Sequence, residues 1–127
     1  MAPYVLDASA VLAFDRNEPG AEVVESALAD SILSTVNLAE VLFRYTREEV
    51  DRPSLASDLK HLGVQIEPFT TQDASLQSRI SSIDAKRKLS LGDRCCLAVA
   101  QRLRLQALTA DSYWAELGPD IRVRLIR

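Results

Sequence analysis

Histidine occurs once and cysteine twice in these 127 residues, and the two cysteines, Cys95 and Cys96, are neighbours. Adjacent cysteines rarely bridge one another, and with His61 as the lone imidazole no Cys/His zinc constellation can form. No apolar run approaches membrane-spanning length, and the start, Met1-Ala2-Pro3-Tyr4, has neither a basic region nor a long apolar core behind it. These absences point to a reducing cytoplasm, without secretion or a membrane. Bulk basicity is missing too: 15 Lys and Arg stand against 18 Asp and Glu, a formal charge of −3. Such a chain does not grip nucleic acid along its whole surface, although a local basic stripe can still steer it. A Gly-rich Walker motif is absent, which excludes a P-loop enzyme. Aspartyl-phosphate chemistry at Asp7 would want a second acid two residues on, where Ser9 stands. Repeats, low-complexity tracts and long linkers are lacking, so residues 1–127 read as a single domain.

Short apolar runs alternate with longer segments of helical period. Tyr4-Val5-Leu6, Ser31-Ile32-Leu33-Ser34, Val64-Gln65-Ile66, Ala107-Leu108-Thr109 and Val123-Arg124-Leu125-Ile126 read as strands. Helices are expected over 8–14, 21–29, 38–48, 53–62 and 71–84, from Ser90 onward, and briefly after Asp111. The helix from Leu38 is apolar nearly all round at its start, which predicts burial. Strands alternating with helices predict an α/β/α sandwich on a mainly parallel sheet of about five strands. Ligands of such folds sit beyond the carboxyl ends of the strands, where Asp7 and Asp111 fall.

Four acids stand out, each with a plain local explanation beside a chemical one. Asp7 in Leu6-Asp7-Ala8-Ser9 suits a helix N-cap. Glu40, among apolar neighbours in Val36-Asn37-Leu38-Ala39-Glu40-Val41, needs a cation, a donor or a raised pKa if it is buried. It also suits a capping pair with Asn37. Asp93 fits the capping-box spacing of Ser90-Leu91-Gly92-Asp93. Asp111 suits the cap of a short helix carrying Tyr113 and Trp114. Local caps do not explain why four acids each follow a strand or open a helix on one presumed ligand edge. Divalent ions roughly 3.5–4 Å apart would use all four in displacing a phosphodiester, and hard carboxylate oxygens suit Mg²⁺ or Mn²⁺.

The segments Leu6-Asp7-Ala8-Ser9-Ala10, Asn37-Leu38-Ala39-Glu40-Val41, Leu89-Ser90-Leu91-Gly92-Asp93-Arg94-Cys95-Cys96-Leu97-Ala98 and Leu108-Thr109-Ala110-Asp111-Ser112-Tyr113-Trp114, in this order, resemble PIN domains. More narrowly they resemble the VapC-type toxins of bacterial toxin–antitoxin pairs. The resemblance covers essentially the whole chain. It implies a metal-dependent endoribonuclease in which Asp7, Glu40, Asp93 and Asp111 gather Mg²⁺ or Mn²⁺ around an activated water. Ser9, Asn37 and Thr109 would be supporting polar residues. It also implies a homodimer and a VapB-like antitoxin lying across the active-site groove. Family members often carry one more acid after the fourth. Here Trp114 and Ala115 occupy that stretch and Glu116 follows, a departure that bears on the completeness of a second metal position and not on the first.

The stretch from Lys86 to Arg104 holds six cations and one acid. Lys86, Arg87, Lys88 and Arg94 flank a site acid and are expected to touch RNA phosphates. Arg122, Arg124 and Arg127 are expected to face solvent. Tyr113 and Trp114 read as packing residues, with base stacking the alternative. Cys95 and Cys96 read as core, and His61 as an exposed residue or a cap of helix carbonyls. The rival function is a non-catalytic binding module that keeps the fold and its RNA or antitoxin contacts.

Overall fold

The structure, a computed structural model, describes residues 3–127. Met1 and Ala2, part of the N-terminal segment read above, lie outside it. Five short strands, β1 (Tyr4–Leu6), β2 (Ile32–Ser34), β3 (Gln65–Glu67), β4 (Gln106–Thr109) and β5 (Val123–Leu125), form one sheet. Their order is β3-β2-β1-β4-β5 and every pairing is parallel. Six α-helices connect them: α1 (Ala8–Asp15), α2 (Ala21–Ala27), α3 (Thr35–Arg47), α4 (Leu55–His61), α5 (Thr71–Ile80) and α6 (Leu91–Leu103). Two 3-10 helices, Ser81–Ile83 and Ser112–Glu116, complete the elements of the described residues. No helix among the described residues is long and apolar enough to cross a membrane.

The sheet is covered on both faces, and strand alternation assigns each residue its side. Val5 pairs in register with Ile32 and Ala107, and Leu6 with Leu33 and Leu108. Leu6, Leu33 and Leu108 join the core beneath α1 to α4, with Val11, Val41, Tyr45 and Leu59. Val5, Ile32 and Ala107 join the opposite core, with Leu97, Val99, Ile80 and Trp114. Trp114 is fully buried there, so it packs and does not stack on a base. Cys95 and Cys96 are buried free thiols. His61 is exposed and its Nδ1 lies 2.7 Å from the Ser57 carbonyl oxygen.

The third helix departs from expectation in two ways. It begins at Thr35, three residues ahead of Leu38, because the Ser34 hydroxyl accepts the Asn37 amide at 3.1 Å and caps it. Asn37 therefore lies inside the helix, and the capping pair with Glu40 is not formed at its start. The helix is also amphipathic rather than buried all round. Asn37, Val41 and Tyr45 form its buried stripe at four-residue spacing, while Leu42 and Phe43 are exposed, Phe43 by 62%. Core burial thus accounts for Leu38, Val41 and Tyr45 in the apolar stretch from Leu38 to Tyr45, and leaves Leu42 and Phe43 outside. The helix expected to run to Asp84 ends at Ile80 and tightens into a 3-10 turn.

One ion pair locks α5 onto α6. Asp73, fully buried, completes a capping box with Thr70 and accepts Arg102 Nε at 2.6 Å and a second guanidinium nitrogen at 3.0 Å. Arg102 also reaches Glu67 on β3 at 3.0 Å. Removing one partner of a buried pair strands the other charge. Arg102→Ala is expected to destabilise the fold by about 3 kcal/mol in urea unfolding. A change within about 0.5 kcal/mol, the size usual for surface substitutions, would show that the pair is solvated.

Candidate functional site

The carboxyl ends of the two central strands, β1 and β4, carry the first and last acids. Asp7 follows Leu6 directly and caps α1: its Oδ1 accepts the Ala10 amide at 2.8 Å and the Ser9 hydroxyl at 2.7 Å. Its Oδ2 accepts the Thr109 hydroxyl at 2.6 Å. Thr109, the last residue of β4, also takes the Asp111 amide at 3.0 Å, and Ser9 takes the Ala110 amide at 2.9 Å. Two hydroxyls therefore join the β1–α1 turn to the segment leaving β4. Asp111, exposed, caps the Ser112–Glu116 turn by accepting the Tyr113 amide at 3.0 Å.

The other two acids come from helices that approach closely. Asn37 is fully buried, and its amide nitrogen donates to Glu40 Oε1 at 2.6 Å and to the Gly92 carbonyl at 3.2 Å. It thereby aims Glu40 and ties α3 to the first turn of α6. At Gly92 a Cβ would run into the Glu40 carboxylate, so glycine is what lets the carboxylate keep this position. Asp93 closes the capping box predicted with Ser90, accepting the Ser90 amide at 2.9 Å while the Ser90 hydroxyl takes the Asp93 amide at 3.1 Å.

These acids lie in one another's field. Burial pushes the Asp7 carboxyl up to about 6, with Asp93 adding to the rise against the hydrogen bonds from Thr109, Ser9 and Ala10. Burial raises Glu40 as well, and Asp93 raises it further. Asp93 is raised by burial first and also by Asp111. Among the described residues no lysine or arginine forms an ion pair with any of the four. Nor do three acidic, histidine or cysteine side chains there stand close enough to hold a metal ion as they are. The structure thus gathers the predicted acids at one edge as electrostatic neighbours, not as a finished cage. Their oxygen donors, outside any ion pair among the described residues, are of the kind that suits a hard divalent ion.

The expected RNA contacts divide. The Arg94 guanidinium is engaged inside the protein, with Gln77 at 3.0 Å and the Leu89 carbonyl at 3.0 Å. Lys86, Arg87 and Lys88 are exposed on the loop before α6, and Lys86 Nζ pairs with Glu116 at 2.9 Å. Glu116 is thereby drawn to the loop. Two residues escaped the sequence reading. Gly92 had a signal, a glycine in the first turn of a helix otherwise rich in good helix formers. Asp84 had none, because its side-chain partner, Tyr113, is 29 residues away.

The PIN domain family model matches residues 4–118. The chain belongs to the PIN domain family. No curated protein matches it in sequence. Solved structures share the PIN fold at low identity. A DNA-bound VapBC from Salmonella typhimurium superposes with a TM-score of 0.76 at 16% identity over 100% of both chains. A toxin–antitoxin complex from Klebsiella pneumoniae gives 0.75 at 18% over 98% of each chain. Mycobacterium tuberculosis VapC20, a sarcin-ricin loop cleaving toxin, gives 0.70 at 17% over 94% of this chain and 98% of that one.

Asp7 makes the stability of this PIN domain depend on pH. Its carboxyl holds a proton to about pH 6 when folded, against 3.8 ordinarily, so folding takes up a proton and stability falls as pH rises through that window. In metal-free buffer near pH 7.5, Asp7→Asn is expected to exceed the parent in stability by as much as about 3 kcal/mol. The gap should close below about pH 4, measured by thermal unfolding across pH. A gap that does not vary with pH would contradict burial as its cause.

Proposed function

We propose that the protein is a metal-dependent endoribonuclease toxin of VapC type, which hydrolyses RNA phosphodiesters and is held in check by a VapB-like antitoxin. The observation that carries this reading is the set of Asp7, Glu40, Asp93 and Asp111. The first three are raised by burial and by a neighbouring acid, while none of the four is in an ion pair with a lysine or arginine among the described residues. Mutual repulsion and burial make the set costly unless a proton or a cation joins it. Mg²⁺ or Mn²⁺, when bound, lowers the pKa of water and offsets charge on the phosphate oxygens.

The chain's own groups have distinct tasks in this reading. Asp7 presents its carboxylate from a rigid strand end, with Ser9 and Thr109 setting its orientation. Asn37 aims Glu40, and the Ser90 box aims Asp93. Asp111, the most exposed of the four, faces the solvent side from which an RNA strand arrives. Lys86, Arg87 and Lys88 receive the phosphates. The Lys86–Glu116 pair is more than half exposed on both sides, so a phosphate can displace it at little cost. Arg94 supports that loop from within by its bond to the Leu89 carbonyl.

The antitoxin and a second copy of the chain are the partners in this proposal. Leu42, Phe43 and Leu91 are exposed apolar side chains on the two helices that bear Glu40 and Asp93, and they offer an anchoring surface. Two buried free thiols accord with a reducing cytoplasm. The absence of a finished metal cage among the described residues favours a second reading, a binding module without catalysis.

The deciding experiment incubates purified, antitoxin-free protein with total cellular RNA in Mg²⁺, Mn²⁺ or EDTA, beside Asp7→Asn and Asp93→Asn. Discrete fragments are expected that need metal and are lost in both variants; intact RNA with folded, metal-supplied protein would favour the binding module. Separately, Gly92→Ala must push the Glu40 carboxylate aside and is expected to weaken Mn²⁺ binding at least about tenfold in calorimetry. Unchanged affinity would remove Glu40 from the metal set.

A further inference from the structure

Asp84 is a buried acid outside the site, and its surroundings are unusual for a carboxylate preceding three cations. It pairs with none of Lys86, Arg87 or Lys88. Its Oδ1 instead accepts the Lys88 amide at 3.0 Å and the Tyr113 hydroxyl at 2.7 Å, and its Oδ2 accepts the Leu89 amide at 3.0 Å. The Tyr113 oxygen in turn accepts the Lys86 amide at 3.2 Å. The loop between them passes through a left-handed residue, Arg87, at φ 52°. A non-glycine residue in that region persists only where its surroundings hold it.

We infer that Asp84 and the Tyr113 hydroxyl form a clasp that positions the Lys86–Lys88 loop for an RNA strand entering the acidic site. The inference rests on the ribonuclease reading for its substrate and on hydrogen-bond geometry for its mechanism. Tyr113 serves both sides of the site: its amide holds the Asp111 carboxylate, while its hydroxyl holds Asp84. Asp84 then fixes the backbone at Lys88 and Leu89, immediately before the Ser90 cap that orients Asp93. Hydrogen bonds therefore run from Asp111 through Tyr113 and Asp84 to the Leu89 amide, and one peptide link leads from there to the Ser90–Asp93 capping box. The Lys86 and Lys88 ammonium groups lie 5.9 and 5.5 Å from the Tyr113 ring centroid, so one aromatic ring gathers both cations. Because Asp84 is satisfied by amides and a phenol, Arg87 and Lys88 keep their charge unpaired among the described residues, available to phosphates. Asp84 and Tyr113 are positioning residues; neither is assigned to the reacting atoms.

The test uses Tyr113→Phe, which removes the hydroxyl and keeps the ring, and Asp84→Asn as a second variant. The probe is a short single-stranded RNA, bound in an Asp7→Asn background and cleaved in the parent background. Each clasp variant is expected to weaken binding about tenfold, the equivalent of losing 1.4 kcal/mol. It should lower the salt slope by about one phosphate contact. KM should rise by a similar factor, and kcat should move by less than about threefold. A variant of merely structural effect gives a different pattern: Arg52→Ala, which breaks the Asp15–Arg52–Asp58 cluster, loses stability and leaves KM alone. Amide exchange at Lys88 and Leu89 is read in parallel, and about tenfold faster exchange is expected in Tyr113→Phe. Unchanged RNA affinity and KM in both folded clasp variants would overturn the inference, as would unchanged amide exchange. If the parent neither binds nor cleaves RNA, the ribonuclease reading fails and the strand-positioning role falls with it. The exchange data then still report whether the clasp holds the loop.

Discussion

A carboxylate at the end of a central parallel strand, shut away from water and given only neutral donors, sets the terms for everything around it. Asp7 has no ion-pair partner among the described residues; it has Ser9, Thr109 and the Ala10 amide. Those donors bind the start of α1 to the end of β4, and the same two hydroxyls receive the amides of Ala110 and Asp111. Position and charge are thus coupled, because the network that orients Asp7 also delivers Asp111. Burial raises the Asp7 carboxyl to about 6.

The contrast with Asp73 shows what this arrangement withholds. Asp73 is also closed off from solvent, and burial by itself would raise it, yet Arg102 and Thr70 bring it below its ordinary value. One acid is completed inside the fold, whereas Asp7, Glu40 and Asp93 remain raised and unpaired. Within a chain of modest net charge, that asymmetry separates an acid that holds helices together from acids whose charge the fold leaves without an ion-pair partner among the described residues.

Close packing of α3 against α6 supplies the rest of the site. Asn37 spans the two helices and the missing side chain of Gly92 admits the Glu40 carboxylate. Each helix orients its own acid, and their packing brings the two together. The same principle extends to the mouth of the site, where Tyr113 and Asp84 hold the cationic loop through bonds between segments distant in sequence.

Strand alternation, caps and punctuation were legible in the chain itself, because they depend on neighbours within a few residues. The apolar pairs at Val5-Leu6, Ile32-Leu33 and Ala107-Leu108 marked buried parallel strands, and Ser90-Leu91-Gly92-Asp93 marked a capping box that the structure contains. The four acids were legible through their order and their places at strand ends and helix starts. Long-range geometry was not. The start of α3 moved to Thr35 because Ser34 at the end of β2 supplies its cap, and half of that helix faces solvent because only one stripe meets the core. Arg94 and Arg102 looked like members of a basic stripe, but turned inward once Gln77 and Asp73 stood beside them. The sequence by itself determined which elements form and which face of each strand is buried, since those follow from local hydrogen bonding and the two-residue period of the pleat. Tertiary structure alone decided which acids keep a cation and which share a field, since burial and Coulomb interactions depend on distances between residues far apart in the chain.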